Sequence, residues 1–170
     1  MTEEITRIEH SAPTRQFTVL LSPTRRGARL ARLLATAHLG DWGLPTEPAV
    51  NVVAELAANA AVHGRVSGRG FRLDLMVHRD ALLRIEVTDT RGERLPPAPG
   101  AVDVPAGDAE SGRGLLIVEA LADRWGIDVG TAPRKTVWAE LDLVRADATG
   151  SRGSTTRWAV TRWPAMSKSL

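Results

Sequence analysis

Residues 70–88, GFRLDLMVHRDALLRIEVT, decide the fold class of this chain. Apolar and polar residues alternate from Gly70 to Val77 and again from Leu82 to Thr88, which is the period of a strand with one buried face. The four residues between these runs, His78 to Ala81, have the length and polarity of a hairpin connection. The segment therefore predicts two antiparallel strands that form the centre of a sheet.

A strand and two helices are expected before this hairpin. The run FTVLL, from Phe17 to Leu21, predicts a short strand. From Thr24 to Gly40 apolar residues recur at helical spacing, opposite a face that carries several arginines. Thr46, with a proline two residues later, predicts the N-cap of a second helix that runs to about His63.

Four prolines interrupt the chain after the hairpin. They lie within residues 93–111, ERLPPAPGAVDVPAGDAES, where proline excludes both a helix and a central strand. So long a loop inside a domain is typical of a functional lid or a disordered insertion. A short apolar helix over residues 114–123 and an alternating strand over 136–144 follow. The predicted order is strand, helix, helix, two strands, loop, helix and then one or two strands.

The composition is that of a soluble globular protein. The 170 residues carry 22 basic and 20 acidic side chains and no cysteine, which excludes a disulfide scaffold, a cysteine-based zinc site and a thiol nucleophile. The four histidines show no metal-ligand spacing. Neither a signal peptide nor a membrane span is apparent, so we expect a cytoplasmic protein.

The charge is unevenly distributed along the chain. Residues 148–170 contain four basic residues and no acidic one, so residues 1–147 hold 18 basic against 20 acidic residues. We therefore expect an N-terminal extension over 1–14, one domain over 15–147 and a basic, flexible tail over 148–170. Tryptophans among arginines in that tail are also compatible with single-stranded nucleic acid or an anionic membrane. The acidic balance of the domain favours neither, and we expect no direct binding of nucleic acid or membrane.

The second predicted helix carries a stripe of polar residues. Asn51, Glu55, Asn59 and His63 recur every four positions and so share one slowly drifting face. A solvated face is the ordinary explanation of such a stripe. However, an acid and an amide one turn apart also suit a divalent cation held by oxygen ligands, or a carboxylate that accepts a proton from a hydroxyl.

Two further motifs follow the predicted hairpin. Asp89 ends the second strand, where a carboxylate can accept a hydrogen bond from an amino group such as that of a purine. Gly112 and Gly114 open the apolar helix after the loop, and glycines at a helix start permit close approach of a phosphate to backbone N–H groups. Each motif alone is also ordinary turn or loop chemistry. Their ordered combination indicates a nucleotide site.

In that order, the blocks ELAANAAVHG, VTDTRG, SGRGLLIVEALADRWG and KTVWAEL resemble the GHKL ATP-binding superfamily. Within it they are most similar to the single-domain anti-sigma-factor serine kinases of actinobacteria. The likeness spans about residues 15 to 145. It implies an α/β (α+β) two-layer sandwich, in which helices cover one face of a mixed, mostly antiparallel sheet and ATP lies between the helices and the lid.

The resemblance also implies roles for individual residues. By position Glu55 matches the general base of the family, Asn59 the Mg²⁺ ligand and Asp89 the acid that binds adenine. The other residues of the implied nucleotide site are Gly92, Gly112, Arg113, Gly114, Leu115 and Thr136. In the family's second block a glycine stands where this chain has Arg91.

The implied function is that of a regulatory serine/threonine protein kinase. Such a kinase binds Mg²⁺ and ATP, phosphorylates an anti-anti-sigma protein of the STAS type and holds a sigma factor inactive when that partner is absent. A homodimer is expected by the same resemblance. Because Arg91 departs from the block, the alternative is a non-catalytic module that binds a sigma factor or another protein, with weak or lost ATP binding.

Overall fold

The fold is a five-stranded sheet with helices packed on one face. In the computed structural model the described residues are 12–63, 68–90, 100, 113–130 and 133–143. Their strands are β1 (Arg15–Leu21), β2 (Phe71–His78), β3 (Leu82–Asp89), β4 (Arg124–Val129) and β5 (Lys135–Asp142). The strands lie in the order β1-β2-β3-β5-β4, and every neighbouring pair is antiparallel.

Both predicted N-terminal helices are present and begin where the capping residues indicate. They are α1 (Arg25–Asp41) and α2 (Glu47–His63), and the third described helix is α3 (Arg113–Leu121). The Thr24 hydroxyl accepts a hydrogen bond from the Gly27 N–H at 3.1 Å, which satisfies one of the donors that a helix start leaves unpaired. The Thr46 carbonyl accepts from the Val50 N–H at 2.8 Å and so begins α2.

The central hairpin has the predicted position and an unusual turn. Arg79 and Asp80 both adopt positive φ, at 51° and 53°, a pairing that matches the twist of two adjoining strands. The Ala81 N–H donates to the His78 carbonyl at 3.0 Å, and the Asp80 carboxylate accepts from the Thr14 hydroxyl at 3.1 Å. Aspartate tolerates the left-handed conformation better than most residues. The turn fixes the register of β2 against β3.

The core lies between the sheet and the helices. Alternate residues of β2 and β3 point to it, as the period of a strand requires. Fully burying a leucine or phenylalanine contributes roughly 1.5–3 kcal/mol, so this layer supplies most of the drive to fold. The largest buried side chains are Leu39, Val52, Val53, Leu56, Phe71, Leu73, Leu75, Val77, Leu83, Ile85 and Val118.

The other face of the sheet carries a network of charges. Glu140 is buried there, and its carboxylate accepts from Arg84 Nη1 at 2.7 Å and from Arg124 Nε at 2.9 Å. Burial alone would raise the pKa of Glu140, but the hydrogen bonds from Arg124 and Arg84 outweigh it and hold the pKa below its usual range. The Arg84 guanidinium also lies 4.5 Å from the centre of the Trp138 ring, a cation–π contact.

The predicted two-layer sandwich is confirmed, with some differences in detail. The expected mixed sheet contains only antiparallel pairs among the described strands. The strand whose presence the sequence left open is β4, and it lies at the edge of the sheet beside β5. The predicted tail over 148–170, most of the loop over 93–111 and residues 1–11 of the N-terminal extension lie outside the described residues.

Candidate functional site

Glu55 lies half-buried in the middle of α2, at the contact between α2 and α3. Its carboxylate rests against the first turn of α3. A β-carbon placed on Gly114 would lie 2.5 Å from Glu55 Oε2, closer than any real contact, so only glycine leaves the carboxylate its present position. Burial raises the pKa of Glu55. The sequence-predicted base is thus a carboxylate partly removed from water and placed beside a glycine.

Asn59 follows Glu55 one helical turn later on the same helix. It is also half-buried, whereas Asn51, one turn before Glu55, is exposed. The polar stripe of α2 therefore runs from solvent into the protein. A fully solvated face does not describe it, because two of these three residues lie at the boundary of the core.

The start of α3 supplies the second side of the site. Gly114 and Leu115 are buried, and Arg113 is exposed. The N–H of Gly100, within the proline-rich segment, donates to Glu119 Oε1 on α3 at 2.6 Å. Gly92 and Gly112, which the resemblance also assigns to the nucleotide site, lie outside the described residues.

Asp89 lies at the end of β3, as predicted, and is nearly fully buried. Its register partner across the β3–β5 pair is Lys135, and the Lys135 Nζ atom lies 3.3 Å from Asp89 Oδ2. Both side chains continue the alternation of Val87 and Val137, whose side chains are buried in the core. The pair therefore lies between the sheet and the helix layer.

Thr136, which the resemblance assigns to the nucleotide site, does not lie on the same face of the sheet as Asp89. Its hydroxyl lies 2.8 Å from the Thr88 hydroxyl, and alternation along β3 and β5 places both hydroxyls on the face opposite Asp89. The residue that shares the position and the face of Asp89 is Lys135. Lys135 was not predicted as a site residue. The alternation of the strand indicates it, because Lys135 stands two residues before the apolar Val137 and so shares its face.

The described residues could hold Mg²⁺ only together with a bound nucleotide. No group of three or more histidine, cysteine, aspartate or glutamate side chains that could hold a metal occurs in the described part of the chain. Mg²⁺ is commonly bound through one or two protein oxygens together with the phosphates of a nucleotide. The Asn59 amide can supply one such oxygen, which fits that arrangement and not a cage made of protein ligands alone.

Across the described ranges, no helix is both long and apolar enough to cross a membrane. The arginines of α1 are exposed, as the predicted arginine-bearing face implies. The predicted apolar positions Leu30 and Leu33 are exposed as well. The buried face consists of the smaller residues Gly27, Ala31 and Ala35 together with Leu39.

Comparison with known proteins agrees with the fold. The family model described as the histidine kinase-like ATPase domain matches residues 21–140. Similar in structure are the RsbU and RsbW domains of Rv1364c from Mycobacterium tuberculosis, with a TM-score of 0.56 and 21% sequence identity. That match covers 75% of this chain and 32% of the other, so the chain spans about a third of that protein's length. None of the curated protein sequences compared with this chain matches it. Because the family model covers well over half of its residues, the chain belongs to the histidine kinase-like ATPase domain family.

Proposed function

We propose that this chain is a regulatory serine/threonine protein kinase that transfers the γ-phosphate of ATP to an anti-anti-sigma protein of the STAS type. The observation that carries the proposal is the position of Glu55. A structural helix has no need of a half-buried carboxylate whose pKa is raised by burial and which only a glycine at residue 114 accommodates. A proton acceptor in phosphoryl transfer does need such a group.

In this proposal Glu55 acts as the general base. The partner's serine oxygen forms a bond to the γ-phosphorus, the bond to the β-phosphate oxygen breaks to release ADP, and Glu55 accepts the serine proton. The raised pKa favours this role, because a base works best when its pKa approaches the pH at which it operates.

The other site residues bind the nucleotide. The base of ATP approaches Asp89, and the phosphates approach the N-terminal turn of α3, where the helix dipole favours negative charge. Mg²⁺ would be held by Asn59 together with the phosphates and would offset their charge.

The regulatory role follows from the same resemblance. In the proposal the kinase, as a cytoplasmic homodimer, binds and inactivates a sigma factor and releases it when an anti-anti-sigma protein competes. Phosphorylation of that competitor returns the sigma factor to the kinase. The RsbW domain in the similar crystal structure gives this partnership its support.

A second candidate is a non-catalytic binding module of the same fold. Two observations favour it: Arg91 stands in place of a family glycine, and the Asp89 carboxylate is already paired with a buried lysine. In this alternative the chain binds a sigma factor or another protein, and nucleotide binding is weak or lost.

The two candidates are separated by a phosphotransfer assay. The full chain is incubated with Mg²⁺, ATP and each purified STAS-type protein from the same genome, and phosphoserine is measured by mass spectrometry. We expect phosphorylation of one partner and its loss in Glu55→Gln. Glu47→Gln is the matched control, because Glu47 is the exposed first residue of the same helix. Stable complexes without phosphate transfer would favour the non-catalytic module, and transfer undiminished by Glu55→Gln would exclude Glu55 as the base.

A further inference from the structure

The pair formed by Asp89 and Lys135 differs from the other ion pairs of the sheet. Both of its side chains are nearly fully buried, with 6% of Asp89 and 4% of Lys135 exposed. Pairs on the opposite face, such as Arg72 with Asp74 and Arg124 with Asp142, each have a partner that is at least a third exposed. The Arg84–Glu140 pair comes nearest to it, with side chains that are 13% and 5% exposed. Among the described residues, the pair at the ends of β3 and β5 is therefore the ion pair whose two side chains together are least exposed.

Such a pair contributes little that an apolar pair would not. The attraction between two buried charges is largely offset by the loss of their hydration, and replacement by well-packed apolar residues is often neutral or stabilising. The adjoining register partners, Val87 and Val137, show that this face of β3 and β5 accommodates valine. The chemistry of the pair therefore points to a ligand more than to stability.

The pair combines a hydrogen-bond acceptor with a donor. A carboxylate can only accept, and an ammonium can only donate, and each has the capacity for several hydrogen bonds at once. Asp89 Oδ2 and Lys135 Nζ lie 3.3 Å apart. Two neighbouring polar atoms on the ring of a nucleotide base could therefore hydrogen-bond to the carboxylate and to the ammonium at the same time.

The six-membered ring of a purine presents a donor and an acceptor side by side, in two opposite arrangements. Adenine offers an amino donor at position 6 beside an acceptor nitrogen at position 1, whereas hypoxanthine and guanine offer a keto acceptor at position 6 beside an N–H donor. A carboxylate alone suits the adenine amino group and repels a keto oxygen. A carboxylate beside an ammonium provides a partner for either group.

We propose that Lys135 is a specificity-determining residue of the nucleotide site and that, together with Asp89, it lets the site accept purine nucleoside triphosphates with either an amino or a keto group at position 6. This inference rests on the proposed function, because it requires that the base of a nucleotide approaches Asp89. The amino group donates to the Asp89 carboxylate, and the keto oxygen accepts from the Lys135 ammonium.

Calorimetric titration of the full chain with ATP and with inosine triphosphate, each with Mg²⁺, tests the inference. The two ligands differ at position 6 and in the protonation of the neighbouring ring nitrogen. We expect the native dissociation constants to agree within roughly tenfold, and Lys135→Met to weaken inosine triphosphate relative to ATP by at least about tenfold, because a buried keto oxygen then faces a lone carboxylate.

The control is Thr88→Val, which removes the hydroxyl contact with Thr136 beside Asp89 without touching the pair. It should leave the ratio of the two dissociation constants unchanged. A native preference for ATP above roughly tenfold, or an unchanged ratio in Lys135→Met, would overturn the inference while leaving nucleotide binding intact. If Lys135→Met does not fold, the native ratio alone decides. Failure of the native chain to bind ATP would overturn the proposed function as well.

Discussion

The carboxylate of Glu55 occupies the space that a side chain at Gly114 would need. The two residues belong to α2 and α3, and a β-carbon on Gly114 would lie 2.5 Å from Glu55 Oε2. The obstacle is the far end of a flexible side chain and not backbone. A larger residue at 114 would therefore move the carboxylate and leave the helices in place.

Gly114→Ala is expected to impair phosphotransfer more than stability. The methyl group displaces the Glu55 carboxylate by roughly an ångström, and a misplacement of this size can lower the rate about 100-fold. The stability change should stay within about 1 kcal/mol, because alanine is the better helix former and the obstacle can rotate away. Turnover and chemical denaturation of the same preparations measure the two effects.

Gly40→Ala serves as the control for Gly114→Ala, and Glu55→Asp tests whether a shorter carboxylate relieves the contact. A β-carbon on Gly40 meets nothing within 4 Å, so Gly40→Ala should leave turnover unchanged. The shorter side chain of Glu55→Asp, combined with Gly114→Ala, should restore part of the turnover that Gly114→Ala loses. Equal turnover in Gly114→Ala and native protein would show that the contact does not position the base.

Replacing each of two glycines of α1 by alanine should affect the stability of the protein differently. A β-carbon on Gly27 would lie 2.0 Å from the backbone carbonyl oxygen of Ser22, which cannot rotate away as a side chain does. We expect Gly27→Ala to destabilise the protein by about 2 kcal/mol or more. Gly40→Ala should be neutral or stabilising by up to about 1 kcal/mol. Urea denaturation of both variants is the measurement, and equal stabilities would contradict the packing of α1 against residue 22.

Glu55→Gln should stabilise the protein at neutral pH while abolishing turnover. Burial raises the pKa of Glu55, which means that the folded protein favours the protonated carboxyl group. Protonated Glu55 therefore stabilises the fold at low pH, and this stabilisation is lost as the pH rises through the raised pKa. Glutamine removes the cost of the buried charge, and partial solvent access keeps the gain below about 1 kcal/mol. The gain should vanish well below the ordinary glutamate pKa. A variant less stable than native protein at pH 7 would contradict this account.

Glu140→Gln, in contrast, should destabilise the protein at neutral pH. Hydrogen bonds from Arg124 and Arg84 hold the pKa of Glu140 below its ordinary value despite burial, so its stabilisation is present above that value and is lost as pH falls through the depressed pKa. We expect the variant to lose about 1–3 kcal/mol at pH 7 and the difference to shrink on acidification. Asp128→Asn, on the exposed partner 3.8 Å from Arg84, is the control and should change stability by less than about 0.5 kcal/mol. Equal losses in the two variants would contradict the role of burial.

The fold was predictable because its main signals are local. The alternation on both sides of His78 to Ala81 gave the central hairpin, and Thr24 and Thr46 gave the starts of α1 and α2, since caps and periodicity depend on near neighbours. Strand β4 was left open, and it contains a glycine, Gly126, a residue type that weakens the pattern of a strand. The structure explains that glycine: a β-carbon there would lie 2.7 Å from the Trp138 ring of β5.

The site was predictable only in part, because its contacts join distant elements. Helical spacing placed Glu55 and Asn59 on one face, but the contact of Glu55 with Gly114 depends on how α3 packs against α2. Likewise, the register between β3 and β5 decides that Lys135, and not Thr136, lies beside Asp89. A shift of one residue in a strand turns a side chain to the other face, which local pattern alone does not resolve.

The central claim is that the chain binds ATP at the proposed site, which Asp89, Asn59 and the start of α3 form. Calorimetric titration of the full chain with ATP, with and without Mg²⁺, tests this claim most directly. We predict saturable binding of one ATP per chain that Mg²⁺ strengthens. Asp89→Asn should weaken it, because in the proposal the Asp89 carboxylate accepts a hydrogen bond from the adenine amino group. Absence of binding at millimolar ATP, with or without Mg²⁺, would contradict it.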